Sequence, residues 1–162
     1  MKTQKRRRKE NKTDYLKRLK LLKGEKPRIV FRKTNRYIIS EYIVSEEAQD
    51  KVIFGFDSRK LNEYGWPKEA HGSLKSISAS YLMGYLIGKT ILKQKLENPI
   101  LDTGMNRVLH KNKIYAFIKG MIDSGIKIEC KKEFFPEESR IKGEHMKNKV
   151  PFDEIKLKIG KI

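Results

Sequence analysis

Sixteen lysines and arginines crowd the first 36 residues against three acids, Glu10, Asp14 and Glu25, so +13 of the chain's formal +18 lies in under a quarter of its length. Such a stretch is too densely charged to fold against itself, because like charges at this density repel one another unless counterions or a polyanion screen them. The run Lys5-Arg6-Arg7-Arg8-Lys9 leads into Lys12, Lys17, Arg18, Lys20, Lys23, Lys26, Arg28, Arg32, Lys33 and Arg36. A purely disordered tail would stop at the run. This charge continues into sequence with the patterning of ordered elements, and nucleic acid is the polyanion that fits it first. Residues 2 to 12 carry too little apolar surface to offset ordering and are expected to stay disordered until bound.

The rest of the 162 residues is ordinary enough to fold: 38% of the chain is hydrophobic, which supports one compact domain once the arm is set aside. We divide the chain into a basic arm with a short helix (1–26), an α/β core (27–129) and a C-terminal helix and basic tail (130–162). The single cysteine, Cys130, excludes an internal disulfide framework and a Cys-based zinc cluster and fits a reducing cytosol. Its neighbours Lys131 and Lys132 favour a thiolate, but no base partner is apparent, and a partly buried thiol is expected. The most apolar stretch, Tyr81 to Leu92, is interrupted by Gly84, Gly88 and Lys89 and is shorter than the ~20 residues of a membrane span. The basic helix near Thr13 to Gly24 has no Trp or Phe to insert into a bilayer. A soluble cytoplasmic chain without a membrane partner is expected.

Periodicity orders the elements. Thr13 is placed to cap a helix from Asp14, with Tyr15, Leu16, Leu19 and Leu22 on one side, Lys17, Arg18, Lys20 and Lys23 on the other, and Gly24 as its stop. Three β-branched and aromatic runs, 28–33, 37–44 and 51–57, read as an antiparallel meander. Lys33-Thr34-Asn35-Arg36 and Ser58-Arg59-Lys60 should share a basic end of that sheet, and Glu46, Glu47 and Asp50 an acidic end. Residues 76 to about 96 read as a long helix with Ala79, Leu82, Met83, Leu86 and Ile87 on its buried face. Its small stripe, Ser80, Gly84 and Gly88, is expected to sit on the sheet. Ile100-Leu-Asp102 reads as a strand parallel to its neighbour. A turn through Asn106 and Arg107 follows, then a basic loop at His110-Lys-Asn-Lys113 and a helix over 114–124 ending at Gly125. A short strand at 126–128, a helix from Pro136 to about Met146 and an extended tail at 155–159 complete a βββαβα pattern.

That order of elements also occurs in ribonuclease-H-like nucleases, which hold two metal ions roughly 4 Å apart with carboxylates. Asp57, Asp102 and Asp123 are the only set available for such chemistry. Asp123 belongs to a helix end and Asp57 is followed by Arg59 and Lys60, so capping and pairing roles are expected for all three. His71, His110 and His145 are scattered in polar contexts and need no ligand role. Gly55, Gly65, Gly72, Gly84 and Gly88 fall in unrelated elements and form no phosphate-cradling loop. No cofactor, metal or small-molecule substrate is expected, and the metal-dependent nuclease remains as the alternative. Binding is better supported, since arginine forks suit phosphates and aromatic rings stack on unpaired bases. Of Tyr15, Phe31, Tyr37, Tyr64 and Trp66, we assign Phe31 and Tyr37 to the core and Tyr64-Gly-Trp-Pro67 to an exposed loop.

The stretches Lys12-Thr-Asp-Tyr15, Arg18-Leu-Lys-Leu-Leu22 and Lys26-Pro-Arg-Ile-Val-Phe-Arg-Lys-Thr-Asn35 closely resemble the N-terminal region of the universal large-subunit ribosomal protein eighteen family in its archaeal and eukaryotic form. Glu63-Tyr-Gly-Trp66, Ser80-Tyr-Leu-Met-Gly84, Ile100-Leu-Asp-Thr-Gly-Met-Asn106, Gly120-Met-Ile-Asp-Ser-Gly-Ile126 and Arg140-Ile-Lys-Gly-Glu-His145 continue the likeness in order. It covers roughly residues 5 to 146 and departs after Met146. The resemblance implies an α/β, βββαβα mixed-sheet sandwich of ribonuclease-H-like, or translational-machinery-component, topology with a basic N-terminal arm and a C-terminal helix and tail. It implies a structural, non-catalytic ribosomal protein that binds 5S rRNA and helps attach it to the large-subunit rRNA at the central protuberance. Neighbouring ribosomal proteins, including the large-subunit protein five family, are the implied protein partners. The family's RNA-contacting arm and first hairpin map onto Arg6, Arg7, Arg8, Lys12, Tyr15, Arg18, Lys20, Arg28, Arg32, Lys33, Asn35 and Arg36. Arg59 and Lys60, at the same basic sheet end, and Asn106 and Arg107, in the turn after the fourth strand, complete the candidate RNA-binding set.

Overall fold

The computed structural model of the protein describes residues 3–47, 49–146 and 148–162, with residues 71 and 72 described by backbone alone. Positions 1, 2 and 147, which the arm and tail assignments include, lie outside the described residues, as does the side chain of His71. The meander forms as expected: β1 (Arg28–Lys33), β2 (Ile38–Glu46) and β3 (Gln49–Asp57) pair antiparallel, and β4 (Ile100–Asp102) adds parallel to β1. The order is β3-β2-β1-β4. The register slips between Tyr42 and Ile43, which pair with Phe54 and Val52, so Ile53 is the extra residue of a bulge in the edge strand.

One face of the sheet is apolar because Ile29, Phe31, Ile38 and Tyr42 alternate onto it, and all are buried. Two helices cover them: α3 (Ile77–Lys93), capped by the Ser76 hydroxyl accepting from the Ala79 amide, and α4 (Lys113–Ser124), capped by the Asn112 carboxamide and stopped by Gly125 at φ 113°. The small stripe of α3 faces α4 rather than the sheet. A Cβ on Gly84 would lie 2.1 Å from the Phe117 carbonyl oxygen, and one on Gly120 would lie 2.1 Å from that of Tyr81. The two helices thus touch backbone to backbone, which only glycine permits.

Several local expectations are corrected. Asp14, not Thr13, caps α2 (Tyr15–Leu22), accepting from the amides of Leu16 and Lys17, while the Thr13 hydroxyl accepts from Arg7. The helix ends through Lys23, and Glu25 rather than Gly24 takes the left-handed backbone, at φ 49°. Neither side of it is uniformly buried: Leu16 and Leu19 are 65% and 52% exposed and Lys20 and Lys23 are exposed, while Leu22 is half-buried and Lys17 and Arg18 turn to the body. The arm closes into one helical turn, α1 (Arg6–Lys9), that buries no residue. Residues 58–64 and 68–73 form 3-10 turns, and Trp66 between them is 3% exposed, its indole N–H donating to the Ala70 carbonyl, so this loop presents no free tryptophan.

The last 37 residues differ most. Residues 126–128 form no strand, and the helix expected from Pro136 is only α5 (Glu138–Lys142), stopped by Gly143 at φ 78°. The tail is not extended but helical: α6 (Phe152–Gly160) buries Phe152, Ile155 and Ile159, and the Phe152 ring lies 5.3 Å from Tyr81 on α3. Ile155 and Ile159 are four apart, so an alternating-looking segment also satisfies the helical period.

Candidate nucleic-acid interface

The acidic sheet end exists, and two of the candidate arginines, Arg18 and Arg28, are drawn to its Asp50. Arg28 is 1% exposed. Its guanidinium donates to Asp50 at 2.6 Å and Ser45 at 2.8 Å and lies 3.6 Å from Asp102. A buried guanidinium needs such compensation, so Arg28 is a structural residue rather than part of an accessible RNA surface. Arg18 reaches Asp50 at 2.9 Å and Lys17 donates to Thr103 at 2.7 Å, so these two cations tie α2 to the body. Burial works to raise the Asp50 carboxyl, but hydrogen bonds from Ser45 and Arg18 and the charges of Arg28 and Arg18 outweigh it and hold the group below the usual carboxylate range. Arg32 donates to the Asp102 carboxylate and carbonyl, at 3.1 and 2.9 Å, yet keeps an exposed flank. Asn106 donates to the carbonyls of Thr103 and Phe31 and so fixes the turn after β4.

The remaining candidates are exposed or half-exposed and follow a connected strip. Arg8 lies over Met105 in the β4 turn, where Lys17 and Arg32 also arrive. Arg7, Lys12, Lys17, Arg18 and Arg32 line a cavity of about 140 Å³ with Asp14 and Asp102. Beyond the turn, Arg107 and Lys33 border a second cavity with Lys113. The β1–β2 turn carries Asn35, whose carbonyl accepts from Lys75 at 2.6 Å, and Arg36. Arg59 then lies 5.1 Å from the Tyr37 ring and Lys60 5.2 Å from that of Phe56. Several of these cations are internally paired: Arg6 and Lys12 with Glu10, Arg8 with Asp14, Arg59 with Asp57, Lys60 with Glu63. Such exposed pairs exchange readily for phosphate contacts. Arg7, Lys20, Lys33, Arg36 and Arg107 have no carboxylate partner among the described residues. Tyr15 is exposed beneath the Lys5 ammonium at 4.6 Å.

Sequence reasoning missed Lys75 and Lys113 as members of this basic end. Burial, and then the nearby charges of Lys33 and Lys75, push the Lys113 ammonium below its ordinary value. The legible signal was a lysine at the first position of a helix, where the dipole disfavours a cation.

The carboxylates proposed for two-metal chemistry do not converge. Asp57 ends β3 at one edge of the sheet and is held by the Arg59 side chain and amide, with its carboxyl pulled down chiefly by the Arg59 hydrogen bond. Asp102 ends β4 at the opposite edge and accepts from Gly104 and Arg32. Asp123 accepts from the Tyr81 hydroxyl, whose ionisation is pushed up by burial and then by that bond. Among the described residues no group of three His, Cys, Asp or Glu is arranged to hold a metal ion. Burial raises the Cys130 thiol, opposite to the thiolate its lysine neighbours would favour, and His110 stacks on Phe134 at 4.1 Å. No helix among the described residues is long and apolar enough to cross a membrane.

Fold and surface together define a small basic α/β scaffold in which Asp14, Asp50, Asp57 and Asp102 hold some of its own arginines. A family described as "Ribosomal large subunit proteins 60S L5, and 50S L18" matches residues 1–100. The large ribosomal subunit protein uL18 of Korarchaeum cryptofilum is 45% identical over 141 residues, 87% of this chain and 70% of that protein. The uL18 of Methanosphaera stadtmanae is 40% identical over 145 residues, 90% of this chain and 73% of its own length. The chain belongs to this family of large-subunit ribosomal proteins. It is a structural constituent of the ribosome, in a non-enzymatic family whose members work among ribosomal RNA and other ribosomal proteins.

Proposed function

We propose that the chain binds 5S rRNA and helps fasten it to the large-subunit rRNA at the central protuberance of the cytoplasmic ribosome, beside a protein of the large-subunit protein five family. The arm and the basic end of the sheet form the RNA surface: Arg6, Arg7, Arg8, Lys12, Tyr15, Lys20, Arg32, Lys33, Asn35, Arg36, Arg59, Lys60 and Arg107. Arg18, Arg28 and Asn106 serve it from behind, by holding the helix, strand and turn that carry the others. The observation that carries this reading is the strip of cations from Arg8 through Arg107 to Arg36, several without a carboxylate partner among the described residues. Folded RNA supplies a matching line of phosphates and, at its unpaired positions, bases for the aromatic side chains.

The test is association with 5S rRNA as a function of salt. Neutralising six to ten phosphates predicts a fall in affinity of about three to five decades between about 50 and 200 mM salt, taking the duplex slope as a guide. Association that barely responds to salt would overturn the reading.

A further inference from the structure

Next to the β4 turn, the ends of β1, α3 and α4 enclose a cavity of about 370 Å³. That size suits one small ligand. Its floor is apolar, made by Phe31, Ile77 and Ile114, and its charged lining is cationic throughout: Lys33, Arg107 and Lys113. Lys75 adds its charge to the same group. No carboxylate among the described residues pairs with any of these four, although the chain supplies one to Arg28, Arg32 and Arg59. Three cations contributed by three different segments around an apolar floor call for an occupant with a flat apolar body and anions on more than one side. A nucleotide lifted out of its stack has that form: a base with a phosphate before and after it.

We propose that this cavity receives one unstacked nucleotide of ribosomal RNA, its base on the floor of Phe31, Ile77 and Ile114 and its flanking phosphates among Lys33, Arg107 and Lys113. An acidic apolar peptide of a neighbouring protein would offer both properties less economically, because it must interleave carboxylates with apolar side chains to reach cations on several sides. The inference rests on the RNA-binding reading above and narrows it to a single nucleotide. It brings in Lys113, Lys75 and Ile77, which belong to neither the arm nor the first hairpin.

The experiment uses the full chain in assembled large subunits. Leu109, which lines the same cavity and is 51% exposed, is replaced in a Leu109→Cys, Cys130→Ser chain and tagged with a photo-crosslinker, and the attachment point is mapped by primer extension. Crosslinking to one or two adjacent unpaired nucleotides is expected, and whether these lie in 5S or large-subunit RNA identifies the source. Attachment to duplex positions or to a neighbouring protein overturns the proposal. In a second arm, Lys75→Met with Lys113→Met should raise the 2′-hydroxyl acylation of that nucleotide several-fold, whereas Lys127→Met with Lys131→Met, matched in charge, should not. Equal reactivity in both pairs also overturns it. Salt-dependent 5S binding by the unsubstituted chain, measured alongside, separates failure of the cavity from failure of the wider reading.

Discussion

At the scale of single residues, the chain's chemistry is decided by which cations its acids hold. Asp102 binds Arg28, Arg32 and the Gly104 amide at once. Asp102→Ala should therefore cost about 2–3 kcal/mol, since a buried guanidinium loses one of its two counter-charges and the turn loses its anchor; the midpoint of urea unfolding measures it. Asp50 makes a pH prediction. Its carboxyl is held below the usual range in the folded chain, so the unfolded chain takes up the proton first. The stability it contributes is complete above the unfolded value of about 3.9 and is lost as pH falls through the lower folded value. Asp50→Asn should flatten the stability curve below the unfolded carboxylate value of about 3.9, and an unchanged curve would show that Asp50 does not hold this network. The alternation of β1 was readable in the sequence, and it places Arg28 opposite Ile29 and Phe31. That Arg18 and Lys17 of α2 reach across to Asp50 and Thr103 was not, because nothing local announces where a helix will dock.

At the scale of elements, the contact between α3 and α4 carries the sharpest expectation. Gly84→Ala puts a methyl group into the Phe117 carbonyl, a backbone atom that cannot rotate away. The helices must separate, at a net cost of about 2 kcal/mol even after a gain of about 1 kcal/mol in helix propensity. At Gly88 the obstacle is the Ser124 hydroxyl, 1.8 Å from the added Cβ. Ser124→Ala should relieve Gly88→Ala in part, since the Ser124 Cβ still stands 2.8 Å from the added methyl, and should not relieve Gly84→Ala; thermal unfolding of the three single variants and the two double mutants decides it. Much of this level was legible. Ser76 and Gly125 mark helix ends by their own chemistry, and three β-branched runs separated by polar turns permit little except a meander. The small stripe was visible too, but its partner was not, because a glycine row states that something comes close without stating what. The tail shows the same limit. Ile155-Lys-Leu-Lys-Ile159 satisfies a period of two and a spacing of four, and the choice falls to Phe152, Ile155 and Ile159 finding a buried place, with Phe152 against Tyr81 of α3. Trp66 was misassigned because a loop flanked by Gly65 and Pro67 reads as surface, whereas its two 3-10 turns fold the indole inward.

At the scale of the whole molecule, stability and charge are assigned to different parts of the chain. The core residues lie between Ile29 and Ile159, while α1 buries nothing and is tied down by Arg7 to Thr13 and by exposed ion pairs of Arg6, Arg8 and Lys12. Such pairs contribute little to folding. Removing residues 1–12 should leave the unfolding midpoint nearly where it was. If Arg6, Arg7, Arg8 and Lys12 each neutralise a phosphate, the same truncation should lower the salt slope of 5S binding by about three to four, at roughly 0.9 per phosphate. The two measurements answer different questions of one variant. A large drop in midpoint would mean that the arm is part of the folded body, and an unchanged slope would mean that its charge faces something other than RNA phosphate. Charge that the fold does not need, on a segment that the fold does not bury, is retained only by what it binds, and the salt slope reads that directly.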